Sequence, residues 1–251
     1  MKELVLVGIG TGNPDHLTLQ AIKALNDVDL ILIPRKGEDK SDLAQVRLKI
    51  CASVVTNPAT RIAEFDLPVR DAANPDYLAR VDDWHSAIAA VWATTIAGYP
   101  AAGRVALLVW GDPSLYDSTL RIAARLVPAP NIRVIPGITS VQVLTAAHGI
   151  AVNDIGAPFT VTTGRQLRSG GWPAGVDTVV VMLDGECSFN AIDPKGVSIW
   201  WAAYVGMPNQ IAIAGPLAEV SAQIVAARAK ARADHGWIMD IYLLRRENQQ
   251  R

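Results

Sequence analysis

The sequence predicts an α/β fold of two domains, on three observations. Leu4–Gly10 and Leu30–Pro34 are short continuous apolar runs, as strands buried on both faces should be. They alternate with helical stretches in a β-α-β-α order, which argues for a largely parallel sheet with right-handed crossovers. After Gly149 the chain becomes strand-rich, which argues for a second α/β unit. The expected division is 1–113 and 114–251.

In order, Leu4–Gly10 is the first strand. Asp15 or Thr18 is placed to cap a helix running to about Val28. Leu30–Pro34 is the second strand, and Ser41 opens a helix ending near Ala52. Arg61–Pro68 alternates, as a more exposed strand does. Asn74 with Pro75 starts a helix that runs to about Ala97, before Gly98. Arg104–Trp110 is a strand that enters Gly-Asp-Pro directly. A helix is expected over Ser114–Val127, a strand over Ile132–Gly137 and a helix over Ser140–His148. Phe159–Gly164, Thr178–Leu183, Val197–Tyr204 and Gln210–Gly215 read as strands. An Ala-rich helix, about Leu217–Ala233, precedes a last strand.

Composition bounds the function. The chain has 251 residues, half of them apolar, enough for a substantial core. Its net charge is −1, so no nucleic-acid partner is expected. Cys51 and Cys187 form no CxxC pair, which suits two buried thiols in a reducing, cytosolic compartment. The N-terminus reads as a first strand and not a signal peptide, and no apolar run approaches the ~18 residues of a membrane span. The four histidines, His16, His85, His148 and His235, make no HxxxH or HxH pair, so no metal site is expected.

Val109–Tyr116, VWGDPSLY, is the most informative stretch. It puts a ligand-ready loop at the carboxyl end of a strand, where open α/β sheets bind ligands. Gly111 lets backbone approach a ligand, and Pro113 stiffens the turn that carries Asp112. Val134–Gln142, VIPGITSVQ, repeats the arrangement one βα unit later, with Thr139 and Ser140 at a helix start. The glycines of Val7–Asp15, VGIGTGNPD, invite a dinucleotide reading. It fails because Asn13 stands where the fingerprint wants glycine. Asp29 also begins the second strand, whereas a ribose ligand should follow its end. Each of these loops alone is equally an ordinary strand–turn–helix junction.

Together and in this order, the three motifs resemble the tetrapyrrole (precorrin) methyltransferases, over most of the chain. The resemblance implies two α/β domains with a cleft between them for S-adenosylmethionine, and a homodimer. Trp110 before GDP, Asp117-Ser118-Thr119 after Leu115-Tyr116, and the C-terminal MDIYLLRR are most similar to the family's deacetylating members. That implies a cobalamin-pathway enzyme which replaces a carbon-1 acetyl group of a corrin precursor by methyl and releases acetate.

By motif position, the cofactor is expected against Trp110, Gly111, Asp112, Pro113 and Leu115, against Thr139, Ser140 and Val141, and against Met182, Trp201, Ala202, Met239 and Asp240. Deacetylation needs a base for water and a donor for the oxyanion. Asp15, His16 and Tyr116 are the candidates, although Asp15 is equally a helix cap and His16 a solvated helix-start residue. Arg35, Lys36 and Arg165 follow strand ends and are expected to meet substrate carboxylates. Competing readings are a methyltransferase of the same fold for another precorrin carbon or a protein side chain, a nicotinamide-dependent oxidoreductase, and a non-catalytic tetrapyrrole carrier.

Overall fold

A computed structural model describes residues 1–35, 41–69 and 76–247. Lys36, and the helix start expected at Asn74 and Pro75, lie outside them. The chain divides into two compact units, Met1–Thr139 and Ser140–Arg251.

The first unit holds strands β1 (Glu3–Gly8), β2 (Leu30–Arg35), β3 (Arg61–Asp66), β4 (Arg104–Val109) and β5 (Asn131–Ile135). They form one parallel sheet in the order β3-β2-β4-β1-β5. Continuous apolar strands are what such a sheet requires, because successive side chains enter opposite layers. Leu4, Leu6, Leu30 and Leu32 join one core with Ile88, Trp92 and Ile96 of α3 (Tyr77–Ala97). Val5, Val7, Ile31 and Ile33 join the other, with Ala21 and Leu25 of α1 (Leu19–Asp27) and Ile50 of α2 (Ser41–Val54). Burying each such side chain stabilises the fold by roughly 1.5–3 kcal/mol.

The register fixes where the loops emerge. Gly8 pairs with Val109 and Val7 with Ile135, so the segments after β1, β4 and β5 leave the sheet side by side. Pairing of β5 with β1 also explains why the units divide after Thr139 and not after residue 113.

Three local expectations resolve. Thr18, not Asp15, caps α1, accepting from the Ala21 amide at 3.0 Å. The helix expected over Ser114–Val127 shrinks to α4 (Thr119–Ala123). Its would-be first turn is diverted: the Asp112 carboxylate binds the Ser114 amide and hydroxyl, and Tyr116 takes φ +50°. Asp29 locks a turn, accepting from the Gly103 and Arg104 amides at 2.9 and 2.8 Å.

The second unit starts with α5 (Ser140–His148). It holds β6 (Phe159–Thr163), α6 (Gly164–Gly170), β7 (Thr178–Met182), β8 (Val197–Ala203), β9 (Ile211–Pro216), α7 (Leu217–His235) and β10 (Asp240–Arg246). The sheet order is β6-β7-β10-β8-β9; β6 and β7 are parallel and the other pairs antiparallel. Val179, Val181, Trp201, Tyr242 and Leu244 form its core with Phe189 and Ile224.

Candidate functional site

In the first unit the three emerging segments are held together backbone to backbone. Gly10 and Gly111 form an isolated bridge, with the Gly111 amide donating to the Gly10 carbonyl at 2.7 Å. Both take left-handed backbone, φ +70° and +61°. A β-carbon on Gly8 would come within 2.6 Å of the Gly137 nitrogen and 2.8 Å of the Gly111 oxygen, and one on Gly137 would overlap that oxygen. Only glycine permits this three-way approach. The meeting of Gly8 and Gly137 with Gly111 is not legible in the sequence, because they come together only through the β1–β4–β5 pairing.

Asp112 cross-braces the arrangement. One carboxylate oxygen accepts from the Gly137 amide at 2.8 Å, and the other from the Ser114 amide and hydroxyl at 2.8 and 2.5 Å. Burial raises its pKa, but these donors, the Ser114 hydroxyl foremost, outweigh it and hold the group below its usual value. Asp112 is therefore an ionised brace between two loops.

His16 lies on the same edge, in the short 3-10 turn Pro14–His16. Its β-carbon fills the space where Gly10 has no side chain, and its Nδ1 is 3.1 Å from the Thr11 hydroxyl. Burial pulls its pKa below 6.5, only partly opposed by the charge of Asp15. The ring is neutral at pH 7 and able to accept a proton. Asp15 itself is exposed, and its amide donates to the Asn13 side chain at 3.0 Å. Tyr116 stands 43% exposed, with its phenol raised above its ordinary value by burial, so it remains a proton-bearing donor. Trp110, Pro113 and Leu115 complete the loop after β4, and Thr139 lies 3.5 Å from where a Gly111 side chain would start.

The second unit treats its predicted residues differently. Trp201 and Ala202 are fully buried. The Trp201 indole donates to Asp240 at 3.0 Å, and the same carboxylate oxygen accepts from Arg228 at 2.9 Å. Arg228 also donates to the Asp184 carbonyl, while the Asp184 carboxylate accepts from Tyr242, Ser188 and the Glu186 amide. Burial pushes the pKa of Asp240 up against the pull of Arg228. Asp184, with four donors, is held below its usual value although burial opposes this. The sequence reading missed this network; Asp184 and Arg228 sit in ordinary-looking loop and helix stretches. Ser140 and Val141 begin α5, Met182 ends β7, and the Met239 carbonyl accepts from the Tyr204 amide.

Of the expected carboxylate partners, Arg35 pairs with Asp66 at 3.1 Å and lies near Glu64 at 3.9 Å. Arg165 is exposed on α6. Among the described residues no three His, Cys, Asp or Glu side chains are placed to hold a metal ion, and no helix is long and apolar enough to cross a membrane.

Comparison with known proteins places this geometry. A family profile described as Tetrapyrrole (Corrin/Porphyrin) Methylases matches residues 3–221. A precorrin-6A synthase (deacetylating) from Sinorhizobium sp. is 47% identical, over 98% of this chain and 96% of that protein. A crystal structure of a cobalamin-synthesis-related protein (CobF) from Corynebacterium diphtheriae superposes with a TM-score of 0.84 at 40% identity, covering 99% of this chain and all of that one. The uroporphyrin-III C-methyltransferase of Thermus thermophilus, solved with S-adenosylhomocysteine, shares the fold, with a TM-score of 0.59 at 20% identity over 96% of each chain.

Proposed function

This chain belongs to the tetrapyrrole (corrin/porphyrin) methylase family, and from that premise we propose that it has precorrin-6A synthase (deacetylating) activity. It converts precorrin-5 to precorrin-6A by methylating carbon 1 with loss of acetate, as a step of cobalamin biosynthesis. The near-full-length identity to a deacetylating relative carries this reading.

The loops after β4 and β5 suit a sulfonium cofactor. Gly111–Asp117 and Pro136–Ser140 contain no lysine or arginine, and Asp112 is held as an anion among them. Trp110, Gly111, Asp112, Pro113, Leu115 and Thr139 are the residues that would hold S-adenosylmethionine, which supplies the methyl group as an electrophile. Asp112 keeps the two loops at their working separation. Trp201 and Asp240, expected at the cofactor by motif position, bond to each other through the indole N–H and one carboxylate oxygen.

Deacetylation falls to His16 and Tyr116. His16, neutral above its depressed pKa, takes a proton from water as the hydroxyl adds to the acetyl carbonyl carbon. Tyr116 donates to the developing oxyanion. The carbon–carbon bond then breaks, the acyl fragment leaves as acetate, and the bonding pair stays in the conjugated macrocycle as the nucleophile; S-adenosylmethionine, when bound, would supply the methyl group to it, the sulfur–methyl bond breaking to leave S-adenosylhomocysteine. Asp15 tunes His16 by its charge. Arg35 and Arg165 are assigned to substrate carboxylates, with Lys36 outside the described residues. The enzyme is further assigned to the cytoplasm, where its two free thiols stay reduced, and to a homodimer.

The test is turnover of precorrin-5 made in situ, with product mass and acetate followed together. Methyl gain with stoichiometric acetate supports the reading. Methylation of a different precorrin without acetate would keep the fold and cofactor and remove the assigned reaction.

A further inference from the structure

Arg47, on α2, is a partly buried cation with no acid within ion-pair distance among the described residues. Its guanidinium lies over the Trp110 ring, 4.7 Å from the centroid. Its Nε donates to the carbonyl of Leu108 in β4 and one terminal nitrogen to the carbonyl of Leu43, both at a long 3.4 Å. Among the described residues no carboxylate stands within ion-pair distance of it; Asp117 acts on it only through space. Burial lowers its pKa to about 10, so it stays charged at neutral pH. The residue nevertheless keeps partial solvent exposure.

A partly desolvated charge held by two long carbonyl bonds is unfavourable unless something compensates it. Stacking on Trp110 compensates in part. Among the described residues the rest of the planar fork meets no hydrogen-bond acceptor, and its geometry matches a carboxylate. It also sits against the first residue of the loop assigned to a cationic cofactor, where an uncompensated positive charge would oppose binding.

We propose that Arg47 is an anchoring residue for a ligand carboxylate, forming with Trp110 a cationic wall that only the bound state neutralises. This rests on the reading above, which supplies two carboxylate sources: the peripheral acid groups of the macrocycle and the amino-acid end of the cofactor. Arg35 and Arg165, by contrast, are exposed, and Arg35 already has acidic partners.

Calorimetric titration of the full chain tests this, with three probes: an eight-carboxylate porphyrin, its octamethyl ester, and S-adenosylhomocysteine. Arg47→Gln is expected to weaken one acid-bearing ligand by about 30-fold and leave the ester unchanged. Loss confined to the porphyrin acid assigns the carboxylate to the macrocycle, and loss confined to S-adenosylhomocysteine assigns it to the cofactor. A folded variant that binds all three as the wild type does overturns the proposal. Should Arg47→Gln fail to fold, Arg47→Lys keeps the charge without the fork; an affinity equal to wild type there also overturns it. A wild type that binds S-adenosylhomocysteine but prefers neither macrocycle contradicts the substrate reading, and Arg47 is then judged on the cofactor arm alone.

Discussion

The two units place their polar groups in opposite ways. In the first, a parallel sheet buried on both faces leaves Asp112, His16 and Tyr116 at its carboxyl edge, on loops that glycines hold together. In the second, a mixed sheet keeps its polar groups inside, where Asp184, Tyr242, Arg228, Asp240 and Trp201 bond to one another. Asp112 and Asp240 make the contrast sharp, since both sit on motifs that resemble cofactor-binding segments. Asp112 spends its bonds shaping an accessible loop. Asp240 has a side chain only 7% exposed and spends its bonds on the core. A carboxylate's partners, and not its motif, decide whether it serves a ligand or the fold.

The contrast breaks at defined points. Arg228→Met strands Asp240 as a buried charge and should cost about 3–5 kcal/mol in urea unfolding; Arg228→Met with Asp240→Leu should recover much of that. Should the single variant unfold like wild type, the second unit's network would not be what holds its core. Gly137→Ala forces a methyl into the Gly111 carbonyl and should cost about 3 kcal/mol in thermal unfolding. Gly170→Ala, with nothing within 4 Å of the added carbon, should change stability by less than about 0.5 kcal/mol. Equal effects from the two glycines would contradict the three-way junction.

Smaller effects sharpen the comparison within the first unit. His16→Gln should slow acetate release about 100-fold, ~2.7 kcal/mol, while S-adenosylhomocysteine binds unchanged. Because burial depresses the His16 pKa, the base is available above it: kcat/KM should rise with pH and level off, with the midpoint below 6.5. A midpoint above 6.5 in wild type would remove His16 as the base. Asp112→Asn can keep one acceptor but not both oxygens, and should weaken S-adenosylhomocysteine about tenfold, ~1.4 kcal/mol. Titration calorimetry would show it, and an unchanged affinity would mean that the brace does not shape the cofactor loop.

Much of the first unit was legible because buried parallel strands leave an unmistakable apolar run, and Thr18 was already a candidate cap. The loop after Pro113 was not. A helical pattern over Ser114–Val127 lost to local competition, as the Asp112 carboxylate captured the Ser114 amide and Tyr116 turned left-handed. The unit division moved from 113 to 139 because strand pairing is non-local: nothing within Asn131–Ile135 says that it adds beside β1. Gly8 and Gly137, 129 positions apart in sequence, meet for the same reason. Arg47 was invisible for a related one, since a lone arginine in an amphipathic helix reads as solvated until its ring partner arrives from β4's end.

On the proposed function, the carboxyl-edge loops of the first unit hold the cofactor. A crystal structure of the full chain with S-adenosylhomocysteine tests it most directly. Ligand density is expected against Trp110–Leu115 and Thr139, with the Asp112 bond to the Gly137 amide intact. Density elsewhere, with that loop untouched, would contradict it.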